Sequence, residues 1–132
     1  MAHALLAYQP IDVTMTVTNG AAGTTAGTDT VAIQFDGSNG EDITEAVCVN
    51  WYLSTDSAGQ TIATDSTDVT SNAIGTDGTL IEISSNVYGW LICEADGDAD
   101  LAIAIPSGKS VYLNLVMPSG RLSTSDEITY TT

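Results

Sequence analysis

Positive charge is almost missing from this chain. Lys109 and Arg121 stand against 17 acidic residues, which leaves a formal net charge of -15 at pH 7. Proteins that hold DNA or RNA draw most of their affinity from cations that displace counterions on phosphates, and two scattered cations make no such footprint. The same imbalance opposes binding to an anionic membrane surface. Long apolar runs are missing too, since no stretch approaches the ~20 residues that a membrane-crossing helix needs. Met1 to Pro10 lacks the basic start and longer apolar centre of a secretion signal, so synthesis and retention in a cytoplasm are expected. Histidine occurs once, as His3, and neither a Gly-x-Ser-x-Gly elbow nor a supported Cys–His pair is present; nucleophilic catalysis has nothing to work with. One Phe, five Tyr and two Trp are a thin supply for the concave cleft of a paired-carboxylate hydrolase. The expectation is a protein that is not an enzyme. Cysteine is limited to Cys48 and Cys93, which either pair or remain free, partly buried thiols; a reducing compartment favours free thiols.

What is present reads as strand. Only 14% of residues are charged while 43% are hydrophobic, so the chain is no acidic disordered tail, and 132 residues suit one domain with a single core. Apolar residues alternate with polar ones in Asp12–Thr18, in Thr30–Asp36 and in Ala46–Ser54. In the last of these Val47, Val49, Trp51 and Leu53 share one face, and Cys48, Asn50 and Tyr52 the other. Residues 55 to 79 form a polar excursion with room for one short edge strand. Leu80–Ser84, Tyr88–Glu94, Ala99–Ile105, Ser110–Met117 and Leu122–Tyr130 follow as five further strands. The turns between them are Ser85-Asn86, Asp96-Gly-Asp98, Pro106-Ser-Gly-Lys109 and Pro118-Ser-Gly120. No window carries a helical period, so parallel crossovers are excluded and a two-sheet antiparallel sandwich of about seven to nine strands is expected, ahead of a β-barrel.

Few features point to ligands. Glu94-Ala-Asp96-Gly-Asp98-Ala-Asp100 spaces Asp96, Asp98 and Asp100 as Ca²⁺ ligands from one loop would be spaced, yet its glycine sits where a hairpin reversal wants one and no bidentate Glu follows. An acidic turn with no cofactor is the expectation, with Ca²⁺ as the alternative. Asp36-Gly-Ser-Asn-Gly40-Glu-Asp42 is likewise a turn first and a cation loop second. Trp51 and Trp90 are core residues or sugar-stacking platforms; the apolar neighbours of Trp51 put it in the core. Residues 1 to 10 form an apolar segment ahead of the domain at 11 to 132. Ala2, His3, Leu5, Leu6, Tyr8 and Pro10 either dock on the chain's own sheet or latch onto a neighbouring subunit.

The runs Val49-Asn-Trp-Tyr-Leu-Ser-Thr-Asp-Ser57, Leu91-Ile-Cys-Glu-Ala-Asp-Gly-Asp-Ala-Asp100, Ser110-Val-Tyr-Leu-Asn-Leu-Val-Met-Pro-Ser-Gly-Arg121 and Ser125-Asp-Glu-Ile-Thr-Tyr130 resemble an immunoglobulin-like domain of tailed-phage virion proteins, over residues 45 to 132. The resemblance implies an all-β, antiparallel immunoglobulin-like sandwich with an N-terminal extension, and a place in a virus particle. It brings no catalytic residues. The expected role is a head decoration protein on the outer capsid surface, bound to the major capsid protein and to copies of itself, most simply as a trimer. A tail or baseplate component and a carbohydrate-binding adhesin are the alternatives. A net charge of -15 argues for the outside of the particle, away from packaged DNA.

Overall fold

A computed structural model describes residues 11–20, 29–37 and 39–129. The described chain forms ten strands: β1 (Ile11–Thr18), β2 (Asp29–Gly37), β3 (Cys48–Ser54), β4 (Ser71–Ile74), β5 (Thr79–Ser84), β6 (Tyr88–Ile92), β7 (Asp98–Ala104), β8 (Ser110–Val116), β9 (Leu122–Thr124) and β10 (Ile128–Thr129). They make two antiparallel sheets packed as a β-sandwich. The smaller sheet has the order β1-β2-β7-β4; the larger runs β10-β8-β3-β6-β5, with β9 also paired to β8.

Period-two alternation builds the core. Val31, Ile33 and Phe35 of β2 and Ala99, Leu101 and Ile103 of β7 are buried from one sheet. Val49, Trp51 and Leu53 of β3, Leu91 of β6 and Val111, Leu113 and Leu115 of β8 meet them from the other. Burying each large apolar side chain is worth about 1.5–3 kcal/mol, so these strands carry most of the driving force. Trp51 spans more than its own strand: its Nε1–H donates to the Ile81 carbonyl on β5, at 3.3 Å. It does so across β6, where Gly89 pairs opposite Trp51. A Cβ at position 89 would stand 1.8 Å from that carbonyl oxygen, so glycine keeps the three strands in contact.

The alternation places β1, β2, β3, β5, β6, β7 and β8 within two residues of where it predicts them. Two stretches differ. The excursion after β3 carries the expected short edge strand, β4, paired with β7, but it is not otherwise a solvated loop: Ala63 and Val69 enter the core. Asp56 organises its first part by accepting from Gln60 N–H and Thr61 N–H at 3.0 and 2.8 Å.

The final predicted strand, Leu122–Tyr130, is two. Thr124 pairs with Asn114 while Ile128 pairs with Val111, so four steps on one side match three on the other and one residue is extra. Ser125 absorbs the mismatch. Leu113 N–H donates to Ser125 Oγ at 2.9 Å, and Ser125 N–H donates to the Leu113 carbonyl at 2.8 Å, a side chain standing in for a missing ladder acceptor.

Candidate interaction surface

The acidic hairpin is structural in its hydrogen bonding. Glu94 N–H donates to the Asp98 carbonyl and Gly97 N–H to the Glu94 carbonyl, both at 2.9 Å, and Gly97 takes φ +87°, the left-handed region that favours glycine. Asp96 Oδ1 accepts from Asp98 N–H at 3.2 Å. Asp100 turns to a different loop, accepting from Thr76 N–H at 3.0 Å and Asp77 N–H at 2.6 Å. Asp96, Asp98 and Asp100 are therefore not brought together, and among the described residues no three His, Cys, Asp or Glu side chains form a metal-holding group. Asp77 does press on two of its neighbours. The Asp77 charge is the main cause holding the Glu94 carboxyl above its ordinary value; at Asp98 partial burial comes first and Asp77 second, again upward.

The remaining candidates separate cleanly. The 36–42 segment closes on itself, with Gly37 N–H donating to the Glu41 carbonyl at 2.8 Å and Glu41 N–H to Asn39 Oδ1 at 3.1 Å. Beside it, Ile11, Ile43 and Val47 help line a shallow cleft of about 290 Å³. Ala2, His3, Leu5, Leu6, Tyr8 and Pro10 lie outside the described residues. Both cysteines are free, but only Cys93 is buried; Cys48 is exposed rather than partly buried, because one-residue offsets on paired strands point them to opposite faces. Burial pushes the Cys93 thiol up. Trp51 is fully buried, whereas Trp90 is 39% exposed.

Trp90 belongs to an exposed apolar arrangement on the larger sheet. Cross-strand pairing puts Leu122 of β9 beside Val116 of β8, Val116 beside Asn50 of β3, Asn50 beside Trp90 of β6, and Trp90 beside Ile81 of β5. These five side chains make one row across the outer face of the larger sheet. Four are apolar, one is an amide, and none is charged. Ile81 is 45% exposed and Leu122 39%. Cys48, Ile92 and Thr79 form the adjoining row on one side.

On the other side of the row Tyr52 is roofed by the Asp56–Gln60 loop, where its Oη donates to the Gly59 carbonyl at 2.6 Å. Burial first, and the Asp56 charge second, hold the Tyr52 hydroxyl protonated to higher pH than usual. At the sheet's far side Tyr112 Oη donates to Glu127 Oε2 at 3.1 Å. The Asp56–Gln60 loop thus brings a carboxylate onto this face beside the row, close enough that a Cβ on Gly59 would stand 3.0 Å from Leu122. Both cations are committed elsewhere, Arg121 to Asp12 at 2.9 Å and Lys109 to Asp68 at 3.4 Å.

No family model, no curated protein and no solved structure matches the chain. The apolar row is not assembled from the sequence because Ile81 and Val116 read as ordinary strand residues, although Trp90 stands out as a core residue or a stacking platform. The signal available was Tyr88–Ile92, where both strand faces are apolar apart from glycine, a pattern of sheets covered on both sides.

Proposed function

We propose that the chain is a structural component of a virus particle, a decoration protein seated on the outer surface of a tailed-virus head and held by the major capsid protein and neighbouring copies of itself. The supporting observation is the division of its surface. The outer face of the smaller sheet holds Asp12, Asp36, Asp98 and Asp100 among threonines and alanines, while the Leu122–Val116–Asn50–Trp90–Ile81 row on the outer face of the larger sheet carries no charge. An exposed apolar patch rimmed by polar groups is how a protein contact is built. The net charge of -15 fits the solvent side of a shell and repels packaged DNA. An immunoglobulin-like sandwich is supported by the strand order, in which β1, β2, β7 and β4 share one sheet and β3 and β8 the other, the division expected of that fold.

Exposed Trp90 favours a second reading, a carbohydrate-binding adhesin with the sugar stacked on this face. Mixing purified protein with undecorated heads and sedimenting them separates the two. Saturable, stoichiometric addition is expected, and deletion of residues 1–9 is expected to abolish it by removing the apolar segment. Failure to add to heads, with a saturable glycan-array signal in its place, would overturn decoration in favour of the adhesin.

A further inference from the structure

We infer that Asn39 is a modification site, at which the Gly40 main-chain nitrogen displaces ammonia from the side-chain amide and leaves a mixture of aspartate and isoaspartate. The inference goes beyond the virion reading and does not depend on it. Two Asn-Gly pairs occur in the chain, Asn19-Gly20 and Asn39-Gly40, and a glycine after asparagine leaves the main chain free to bring its nitrogen onto the side-chain carbon. The fold treats the two pairs differently.

Asn19 is tied to distant parts of the sandwich. Its Oδ1 accepts from Thr129 N–H of β10 at 3.1 Å, and Gly20 N–H donates to Asp29 Oδ1 at 2.7 Å, on a side chain that is itself buried at the start of β2. Freeing this pair breaks contacts that join the end of β1 to β2 and to β10. Asn39 is held by its own turn. Among the described residues the hydrogen bonds of Asn39-Gly40 all stay within residues 37 to 41: Gly40 N–H donates to the Gly37 carbonyl at 3.0 Å, and Asn39 Oδ1 accepts from Glu41 N–H at 3.1 Å. Both residues are exposed, Gly40 takes φ +80°, and a Cβ built there would meet nothing within 4 Å. Opening an exposed turn costs far less than parting strands, and it releases the Gly40 nitrogen.

The chemistry needs only water. Gly40 N gives its proton to hydroxide and attacks Asn39 Cγ; the new C–N bond closes a five-membered succinimide as the Cγ–Nδ2 bond breaks, and Nδ2 leaves as ammonia with a proton taken from water. Glu41 N–H, on Oδ1, stabilises the charge that builds on that oxygen while the carbon is tetrahedral. Water then opens the ring at either carbonyl. Both products add a negative charge beside Asp36, Glu41 and Asp42, and the isoaspartate also lengthens the main chain inside the turn that Gly37 N–H and the Glu41 carbonyl close at 2.8 Å.

Peptide mapping by mass spectrometry of the full chain, aged at mildly alkaline pH and fragmented so as to tell isoaspartate from aspartate, reads both sites at once. In the folded chain Asn39 is expected to react at least about tenfold faster than Asn19, the ratio given by about 1.4 kcal/mol of difference in opening free energy. In urea the two rates are expected to converge. Asn39→Gln is expected to abolish the acidic species that ion exchange resolves, and Asn19→Gln to leave it unchanged, each variant first being shown to fold by circular dichroism. A smaller ratio in the folded chain, a difference that persists in urea, aspartate at this position without isoaspartate, an acidic species that survives Asn39→Gln, or an Asn39 still intact when the urea-unfolded sample has converted would each overturn the proposal.

Discussion

Two residues decide much about how tightly this sandwich closes. Gly89 is there for its missing side chain: the Ile81 carbonyl occupies the space and receives the Trp51 indole N–H. Gly89→Ala is expected to cost about 3 kcal/mol, the upper range for overpacking against backbone, measured as a lowered denaturation midpoint together with a change in Trp51 fluorescence. A variant as stable as the parent would show that β5 can move away freely. Asn72 is the opposite case. It is 4% exposed on β4, and among the described residues neither its Nδ2 nor its Oδ1 has a hydrogen-bond partner, so its desolvation opposes folding. Neither property was legible in the sequence. A glycine inside a strand announces a close approach but not what approaches, and an asparagine in a polar excursion gives no hint that an edge strand will turn it inward.

Among the strands, legibility followed how far each one's stability is local. Val13, Met15 and Val17 of β1, Val31, Ile33 and Phe35 of β2, and Val49, Trp51 and Leu53 of β3 alternate so regularly that register and inward face follow from the order of residues. The C-terminal stretch alternates less strictly, and its break depends on a partner: Ser125 is recruited by Leu113 of β8, twelve positions earlier. No local pattern signals that. Ser125→Ala leaves the buried Leu113 N–H without an acceptor, and the expected loss is about 1–3 kcal/mol. Hydrogen exchange gives the sharper check, because protection should fall first at the β8–β9–β10 edge; uniform loss across both sheets would contradict a local role. The apolar row on the larger sheet was hidden for a related reason. Alternation tells which side chains face together, but not whether a second layer covers them.

For the whole molecule the governing quantity is negative charge, and its consequences depend on pH. Glu94 and Asp98 hold their protons more tightly in the folded chain than in the unfolded one. Stability therefore falls as pH rises from their ordinary values through the raised ones, and the deficit is fully present at neutrality. Asp12 and Asp56 run the other way. Val13 N–H and Arg121 lower Asp12, and Thr61 N–H is the leading cause at Asp56; their stabilisation is present at neutral pH and disappears as pH falls through the lowered values. The thermal midpoint is thus expected to rise on acidification from pH 7 to about pH 4.5 and to drop below about pH 3.5. Asp98→Asn should flatten the rise, and a midpoint that only declines on acidification would refute this account. The scarcity of cations has a last effect, on proteolysis. Trypsin has just two residues to recognise, Lys109 and Arg121, and they flank β8, which is hydrogen-bonded to β3 on one side and to β9 and β10 on the other. Both lie in exposed turns, and the bond after Arg121 leads into the three-residue strand β9 while the bond after Lys109 leads into β8 beside β10, so the digestion rate reports local opening of the β8–β9–β10 side of the larger sheet rather than of the whole body.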